Sequence, residues 1–86
     1  MTLAVRLSKE AQADFVRLDG SIQVRVRKVL ARLADFPNVT GAVPLRGNRA
    51  GQFKVVVAGD WRLIFDPRGG VVMVVEIKHR SVVYED

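Results

Sequence analysis

The amino-acid sequence predicts one α+β domain, residues 1–86, in which an antiparallel sheet of about four strands packs against an N-terminal helical hairpin. Three observations predict this class. Apolar residues recur at helical spacing as far as residue 36, and β-branched and aromatic residues dominate from residue 53 onward. A chain of 86 residues is also too short for a second hydrophobic core. The expected order of elements is β-α-α-β-β-β.

The first strand and the first helix are predicted from residues 3–18. Residues 3–7, LAVRL, are short and apolar apart from Arg6, as expected of a strand. Ser8 is a good N-cap for the following helix, because its hydroxyl can accept a hydrogen bond from a free amide of the first turn. The predicted inner face of this helix consists of Ala11, Phe15 and Leu18.

A second helix is predicted to follow the Asp19-Gly20 break, to be capped by Ser21, and to end near Phe36, before Pro37. Its apolar face repeats at helical spacing and consists of Ile22, Val26, Val29, Leu30 and Leu33. The cations on its other side are Arg25, Lys28 and Arg32. Such a stripe is more often a solvated face than a docking site, and contact with RNA is the functional alternative.

The second half of the chain predicts three strands joined by two hairpin loops. The turn-rich segment NVTGAVPLRGNRAG, residues 38–51, precedes them. The predicted strands are QFKVVVA at 52–58, WRLIF at 61–65 and VVMVVEIK at 71–78. The loops between them are AGD and DPRGG. Trp61, Leu63 and Phe65 lie two residues apart along the strand and therefore face the same side of the sheet, so all three are expected to pack on the helices.

Composition limits the classes of function that fit this chain. Lys+Arg number 14 and Asp+Glu 9, and the net charge of +5 favours nucleic acid or an acidic protein as partner. With no cysteine and one histidine, the chain lacks the ligands of a typical zinc site, and it lacks the glycine-rich motifs that bind nucleotide phosphates. No cofactor is therefore expected. The lack of a signal peptide and of long apolar runs predicts a cytoplasmic protein without a membrane partner.

Cations on the predicted strands form the candidate site. Lys54, Arg62 and Lys78 each belong to a different strand, and Tyr84 follows the last one. A charged side chain in a short apolar strand is costly unless it faces water or a partner. One interpretation is that all three cations point to solvent from the open side of the sheet, which is common. One cation on each of three adjacent strands favours the other interpretation, a site for an anion.

Strand parity gives the anion-site hypothesis a test. With a plain two-residue turn at Gly59-Asp60, Lys54 and Arg62 would face opposite sides of the sheet. They share a side only if the loop has an odd number of residues or the hairpin contains a bulge. A functional site therefore predicts an odd loop or a bulge.

These residue types suit cleavage of RNA without a metal ion. In that reaction the 2′-hydroxyl attacks the adjacent phosphate, a base removes its proton, and a proton donor assists the leaving 5′-oxygen. Lys54 is the candidate base, and Arg62 is the candidate bidentate phosphate ligand. Lys78 would add positive charge, and Tyr84 would stack on a base or donate a proton.

Further cations and the histidine are candidates for RNA binding, namely Arg46, Arg49, His79, Arg80, Arg25, Lys28 and Arg32. Histidine suits proton transfer near neutral pH, but parity places His79 on the core side with Ile77, where a lone histidine is more often structural. A Ser-His-Asp triad that uses Ser81 and His79 is disfavoured, because residues this close in a strand-like segment rarely face each other.

Two segments of the sequence resemble the RelE/ParE superfamily of bacterial and archaeal toxins. They are PLRGNRAGQFKVVVAGDWRLIFD, residues 44–66, and VVEIKHRSVVYED, residues 74–86. The predicted helical hairpin and strand order match this superfamily too, so the resemblance covers essentially the whole chain and implies the RelE-like microbial RNase fold. The KHRSVVY tail is more similar to the RelE branch than to the ParE branch.

The resemblance implies the toxin of a type II toxin–antitoxin system. RelE-like members are ribosome-dependent endoribonucleases, mRNA interferases that cut mRNA in the A site without a metal ion and thereby inhibit translation. The partners that the resemblance implies are a cognate antitoxin protein, the ribosome and mRNA. The alternatives are a ParE-like inhibitor of DNA gyrase that acts by binding, and a catalytically inactive relative that binds the antitoxin.

The catalytic residues that the resemblance implies are Lys54, Arg62, Lys78 and Tyr84. Lys78 stands where better-known RelE-like members have an arginine. Val56 occupies a position at which some members carry a second lysine, and its presence puts the level of cleavage activity in question.

Overall fold

A computed structural model describes residues 2–82, which form two α-helices, five strands and one 3₁₀ helix. The elements in chain order are β1 (Ala4–Leu7), α1 (Lys9–Val16), α2 (Gly20–Leu33), β2 (Val43–Pro44), the 3₁₀ helix (Gly47–Arg49), β3 (Phe53–Ala58), β4 (Trp61–Arg68) and β5 (Val71–His79). Neither helix in this part of the chain is long and apolar enough to cross a membrane. The predicted α+β class, with an N-terminal helical hairpin, is confirmed.

The strands form one mixed sheet in the order β1-β5-β4-β3-β2. The prediction of an antiparallel sheet of about four strands is wrong in two details. First, β1 runs parallel to β5, because the helical hairpin supplies the long crossover that a parallel neighbour requires. Second, Val43 and Pro44 form an additional edge strand that pairs with the start of β3. A strand of two residues is too short to show the alternation of apolar and polar residues, so the turn-rich segment did not predict it.

The two helices begin at different kinds of cap. The Ser8 hydroxyl accepts a hydrogen bond from the Ala11 amide at 3.1 Å, so the predicted N-cap of α1 is confirmed. The prediction that Ser21 caps α2 is wrong. Asp19 is the N-cap, because its extended backbone (ψ 151°) directly precedes helical Gly20, which leaves Ser21 inside the first turn.

Two other element ends differ from the predictions. Helix α2 ends at Leu33 instead of near Phe36, because the following amides donate to carbonyls three residues back, as in a 3₁₀ turn. Strand β4 continues through Arg68, so the predicted DPRGG loop is wrong and Gly69-Gly70, both with positive φ, form the turn. Pro67 fits within β4 because the pairing of β3 with β4 ends before that point.

The hydrophobic core lies between the helices and one side of the sheet. Helix α2 contributes the buried side chains Val26, Val29 and Leu33. The central strands contribute Leu63, Phe65, Val72, Val74 and Ile77 to the same cluster. The ring centroids of Phe36 and Phe53 lie 5.7 and 5.6 Å from that of Phe65. Trp61, Leu63 and Phe65 all pack in or against this cluster, as strand parity predicts.

Helix α1 lies along the part of β5 that extends beyond β1. Strand β1 pairs with β5 only as far as Val74. Past that point the Ser8 hydroxyl donates to the Val75 carbonyl at 2.7 Å, and the Ile77 amide donates to the Asp14 carboxylate at 3.0 Å. Side chains of the helix and its cap therefore satisfy backbone groups that an open strand edge would leave without partners.

Replacing Ser8 with alanine is expected to lower the free energy of unfolding by about 1–2 kcal/mol, because both the N-cap bond and the bond to β5 are lost. Ser21→Ala is the matched control, since Ser21 is exposed in the first turn of α2 and its hydroxyl makes no hydrogen bond within residues 2–82. Urea unfolding measures both variants. An equal effect of the two substitutions would contradict this role of Ser8.

Candidate functional site

The β3–β4 hairpin turns at Gly59-Asp60, but β3 carries one extra residue. Val56 pairs with Arg62, and the register then shifts so that Val57 has no direct partner on β4. Lys54, two residues before Val56, therefore lies on the same side of the sheet as Arg62. The bulge that the anion-site hypothesis predicts is thus confirmed.

We refer to the side of the sheet away from the helices as the open face, and its central residues are Lys54, Val56, Arg62, Ile64, Glu76 and Lys78. Lys54 and Arg62 are diagonal neighbours on adjacent strands, a placement in which residues are roughly 7–8 Å apart. Both are partly buried, and no carboxylate of residues 2–82 lies within ion-pair distance of either. Two neighbouring cations without a counter-ion are suited to binding an anion.

Lys78 lies opposite Arg62 in the register, but its ammonium contacts α1. The Lys78 Nζ is 2.9 Å from Asp14 Oδ1 and 3.0 Å from Glu10 Oε2. The hydrogen bond to Asp14 raises the pKa of Lys78 above its usual 10.5, burial opposes this change, and the hydrogen bond to Glu10 adds to it. The amine therefore stays protonated near neutral pH and cannot serve as a general base there.

A buried ion pair lies on the open face beside Ile64, which pairs with Lys54 on one side and with Glu76 on the other. Glu76 is 5% exposed and forms a salt bridge with Arg49 of the 3₁₀ helix. Arg49 also donates to the Gln52 side chain at 3.0 Å. The structure thus brings this predicted RNA ligand to the open face, already bound to a carboxylate. The sequence analysis did not name Glu76. A glutamate within the apolar run VVMVVEIK is the feature that could have indicated a buried and paired carboxylate.

The remaining predicted arginine and lysine ligands of RNA are exposed, and the structure does not gather them at one site. Arg46 precedes the 3₁₀ helix, and Arg80 follows β5 with its Nε 3.3 Å from Asp60. The exposed side of α2 carries Arg25, Lys28 and Arg32. Helix α2 packs on the side of the sheet opposite the open face. Tyr84, the predicted catalytic tyrosine, lies outside the described residues.

His79 lies on the side of the sheet opposite Arg62, as parity predicts. It pairs with Trp61, whose ring meets the imidazole edge-on with 5.2 Å between centroids. The His79 Nδ1 accepts the Ser81 amide at 3.2 Å and lies 2.9 Å from the Ser81 hydroxyl. The expectation that these two residues do not face each other is therefore wrong, because the chain turns after β5. Asp60 lies 3.8 Å from Nε2, too far for the hydrogen bond of a triad.

Two shallow cavities are lined by residues other than Lys54 and Arg62. One, of about 290 Å³, is at the other end of the open face and is lined by Asp66, Arg68, Val71 and Met73. The other, of about 240 Å³, lies where α1 meets the ends of β4 and β5. In the part of the chain that the structure describes, no cluster of three or more His, Asp or Glu side chains could hold a metal ion.

Comparison with models of protein families identifies the family of this chain. A family model described as the ParE toxin of type II toxin–antitoxin systems, parDE, matches residues 5–84. The chain belongs to this family of toxins. A search of curated protein sequences finds no significant match to this toxin.

Solved structures of related toxins share the fold of this one. A chain of the RelBE2 toxin–antitoxin complex from Mycobacterium tuberculosis has 26% identity and a TM-score of 0.78 over 95% of each chain. The YoeB/ParE toxin from Agrobacterium tumefaciens has 15% identity and a TM-score of 0.77 over 90% of this chain and 98% of its own. The archaeal RelE–RelB complex from Pyrococcus horikoshii has 19% identity and a TM-score of 0.74 over 96% of this chain and 100% of its own. Membership in the RelE/ParE superfamily is confirmed, and assignment to the RelE branch stays a prediction.

The raised pKa of Lys78 predicts how the stability of this toxin changes at high pH. Because the folded-state pKa lies above the unfolded value of 10.5, the stabilisation by Lys78 is fully present below pH 10.5 and is lost as the pH rises through the folded pKa. The difference in unfolding free energy between the unsubstituted toxin and Lys78→Met should therefore shrink above that pH. Urea unfolding at several pH values measures it.

Lys9→Met is the control for this pH dependence, since Lys9 is exposed on α1 and has no ion-pair partner within residues 2–82. It measures how the loss of one exposed ammonium group affects urea unfolding at each pH. A Lys78→Met difference that stays constant across this pH range would show that Asp14 and Glu10 do not raise the pKa of Lys78.

Proposed function

We propose that this toxin cleaves mRNA on the ribosome and thereby stops translation. The observation that carries the proposal is the β3 bulge, which places Lys54 and Arg62 together on the open face without a carboxylate partner among residues 2–82. A partly buried guanidinium beside an ammonium suits the phosphate of an RNA chain, because both donate charge-assisted hydrogen bonds to its oxygens.

The proposed reaction is an attack by a 2′-hydroxyl on the adjacent phosphorus. Lys54, the candidate base, takes the proton of the 2′-hydroxyl, the bond from phosphorus to the 5′-oxygen breaks, and that oxygen takes up a proton from the proposed donor Tyr84. The products are a 2′,3′-cyclic phosphate and a free 5′-hydroxyl. Arg62 would bind two phosphate oxygens, and Lys54 would stabilise the charge that develops on the pentacovalent phosphorane. Tyr84 remains the proposed stacking partner or proton donor.

Charge and the related complexes support the proposed partners. The net charge of +5 favours binding to mRNA and to the ribosome, which would place the toxin in the cytoplasm. The structures from M. tuberculosis and P. horikoshii are complexes of toxin and antitoxin, and we extend an antitoxin partner to this chain. An acidic antitoxin segment across the open face would neutralise Lys54 and Arg62 and exclude the RNA phosphate.

Inhibition of DNA gyrase by binding is the second candidate function. The matching family model is that of ParE toxins, and two cations near the site, Lys78 and Arg49, are bound to carboxylates. Cleavage of RNA without a metal ion needs cations that stabilise the developing charge, so a site with few unpaired cations fits a toxin that acts by binding better than it fits a nuclease. A catalytically inactive relative that binds only the antitoxin is the third candidate.

Arg62→Ala is expected to slow mRNA cleavage about 100- to 1000-fold, because a phosphate-stabilising donor is lost, and Lys54→Ala about 10- to 100-fold. The measurement is a reconstituted translation reaction in which primer extension maps the 5′ ends of the mRNA. Arg17→Ala is the matched control. Arg17 is exposed at the end of α1 without an ion-pair partner in the described chain, so its loss should not change the rate.

The three candidate functions give different results in this experiment. Cuts at A-site codons that require both ribosomes and Arg62 would support mRNA cleavage. Intact mRNA together with inhibited gyrase supercoiling would replace the proposal with the second candidate. A toxin that affects neither reaction would be the inactive relative.

Val56 offers a gain-of-function test of the same site. It is 55% exposed and lies opposite Arg62, so a lysine there would add a third cation beside the bound phosphate. Val56→Lys is expected to raise the cleavage rate about tenfold, equivalent to about 1.4 kcal/mol of activation free energy. Val24→Lys adds the same charge at a valine of α2 that is 48% exposed. An equal rise in both variants would assign the effect to net charge alone.

A further inference from the structure

We infer that Lys78 is a positioning residue that ties α1 to β5, and that its ammonium does not bind the RNA phosphate. The inference rests on the proposed function, because it concerns which cations of the open face contact the substrate. Lys78 stands opposite Arg62 in the strand register, so its position alone would group it with Lys54 and Arg62. Its side-chain contacts assign it a different role.

Asp14 binds the Lys78 ammonium and a backbone amide at the same time. Its Oδ1 lies 2.9 Å from Lys78 Nζ, and its Oδ2 accepts the Ile77 amide at 3.0 Å. The residue is 6% exposed, so water has little access to replace either donor. A buried carboxylate needs a cationic partner, and Lys78 is the cation within ion-pair distance in the described part of the chain.

Binding of phosphate would compete with this ion pair. If the Lys78 ammonium moved to a phosphate, the Asp14 carboxylate would remain buried without a counter-charge, which is unfavourable. Glu10 also contacts the ammonium at 3.0 Å, but its side chain is 57% exposed and water can solvate it instead. Lys54 and Arg62 face no such competition within residues 2–82. The phosphate therefore binds to those two cations.

The contacts of Asp14 with Lys78 and with the Ile77 amide also determine where the end of β5 lies beside Arg62. Ile77 and Lys78 belong to the stretch of β5 that pairs with the start of β4, where Arg62 is located. Strand β1 no longer supports this stretch, because its pairing with β5 ends at Val74. The two hydrogen bonds of Asp14 replace that support. Lys78 thus acts on the reaction through the placement of Arg62.

Exchange of the charged pair for a neutral pair tests this role. Asp14→Asn keeps a carbonyl oxygen that can accept the Ile77 amide, and Lys78→Gln supplies an amide that can hydrogen-bond to it. Each single substitution is expected to lower the midpoint of thermal unfolding by about 4–8 °C. The double variant should recover most of that loss. Its rate of mRNA cleavage should lie within about threefold of the unsubstituted rate.

Asp66→Asn with Arg68→Gln is the matched control pair. These residues form a salt bridge at 3.0 Å in which the Arg68 side chain is 73% exposed. The same exchange of charges there should shift the unfolding midpoint by no more than about 2 °C, because Arg68 is open to water, which weakens its attraction to Asp66. A shift as large as that of the Asp14 and Lys78 single variants would remove the evidence for a special role of the buried pair.

Two outcomes would overturn the inference. One is a double variant with the unsubstituted unfolding midpoint whose cleavage is about 100- to 1000-fold slower, because Lys78 would then act as Arg62 does. The other is an additive loss of thermal stability, because the two residues would then be uncoupled.

Asp14→Asn alone decides the question if the double variant does not fold. This substitution keeps the acceptor for Ile77 but removes the charge that holds the ammonium. Cleavage faster than that of the unsubstituted toxin would show that Lys78 is a phosphate ligand released for binding. Slower cleavage supports the positioning role, whereas unchanged cleavage would show that the ion pair does not determine where Arg62 lies.

Failure of the proposed function is distinguishable from failure of this inference. An unsubstituted toxin that cuts no mRNA rejects the proposed function. The thermal unfolding of the single and double variants still decides whether Lys78 ties α1 to β5, since that measurement needs no RNA.

Discussion

The extra residue at Val57 is the constraint on which the candidate site depends. One extra residue in a strand reverses the side of the sheet that the following side chains face. With this bulge, Val55 and Leu63 are buried against the helices while Lys54 and Arg62 share the open face. A regular hairpin could not bury Val55 and Leu63 and also place Lys54 and Arg62 on the same side of the sheet. The same irregularity therefore supports both the stability of the fold and the placement of Lys54 and Arg62, which have no carboxylate partner among residues 2–82.

Buried acids determine which cations near the candidate site are bound to a carboxylate. The two charged residues that are buried in the described chain are Asp14 and Glu76, and each binds one cation of the region, Lys78 or Arg49. Such carboxylates cannot be left unpaired without a large desolvation cost. The fold thus divides neighbouring cations into those bound to a buried carboxylate and those without a carboxylate partner among residues 2–82. The division follows from the burial of the acids rather than from any property of the cations.

Local signals predicted much of this fold, whereas long-range contacts escaped prediction. The Ser8 cap, the apolar face of α2 and the three long strands follow from adjacent residues, and parity linked the β3 bulge to the site in advance. The parallel pairing of β1 and the two-residue β2 carry no local period, so they could not be predicted in this way. The partner of Lys78 is 64 residues away in sequence, and strand parity says nothing about where a flexible side chain ends.

The parallel pairing of β1 with β5 also has a consequence for the order of synthesis. Strand β5 comes last along the described chain but lies inside the sheet, between β1 and β4, and it contributes Val72, Val74 and Ile77 to the core. A growing chain that lacks β5 therefore has no neighbour for β1 and no strand edge for α1. Because domains fold as units during translation, the native sheet cannot form before β5 has left the exit tunnel. The open face that carries Lys54 and Arg62 therefore cannot form until synthesis has passed β5.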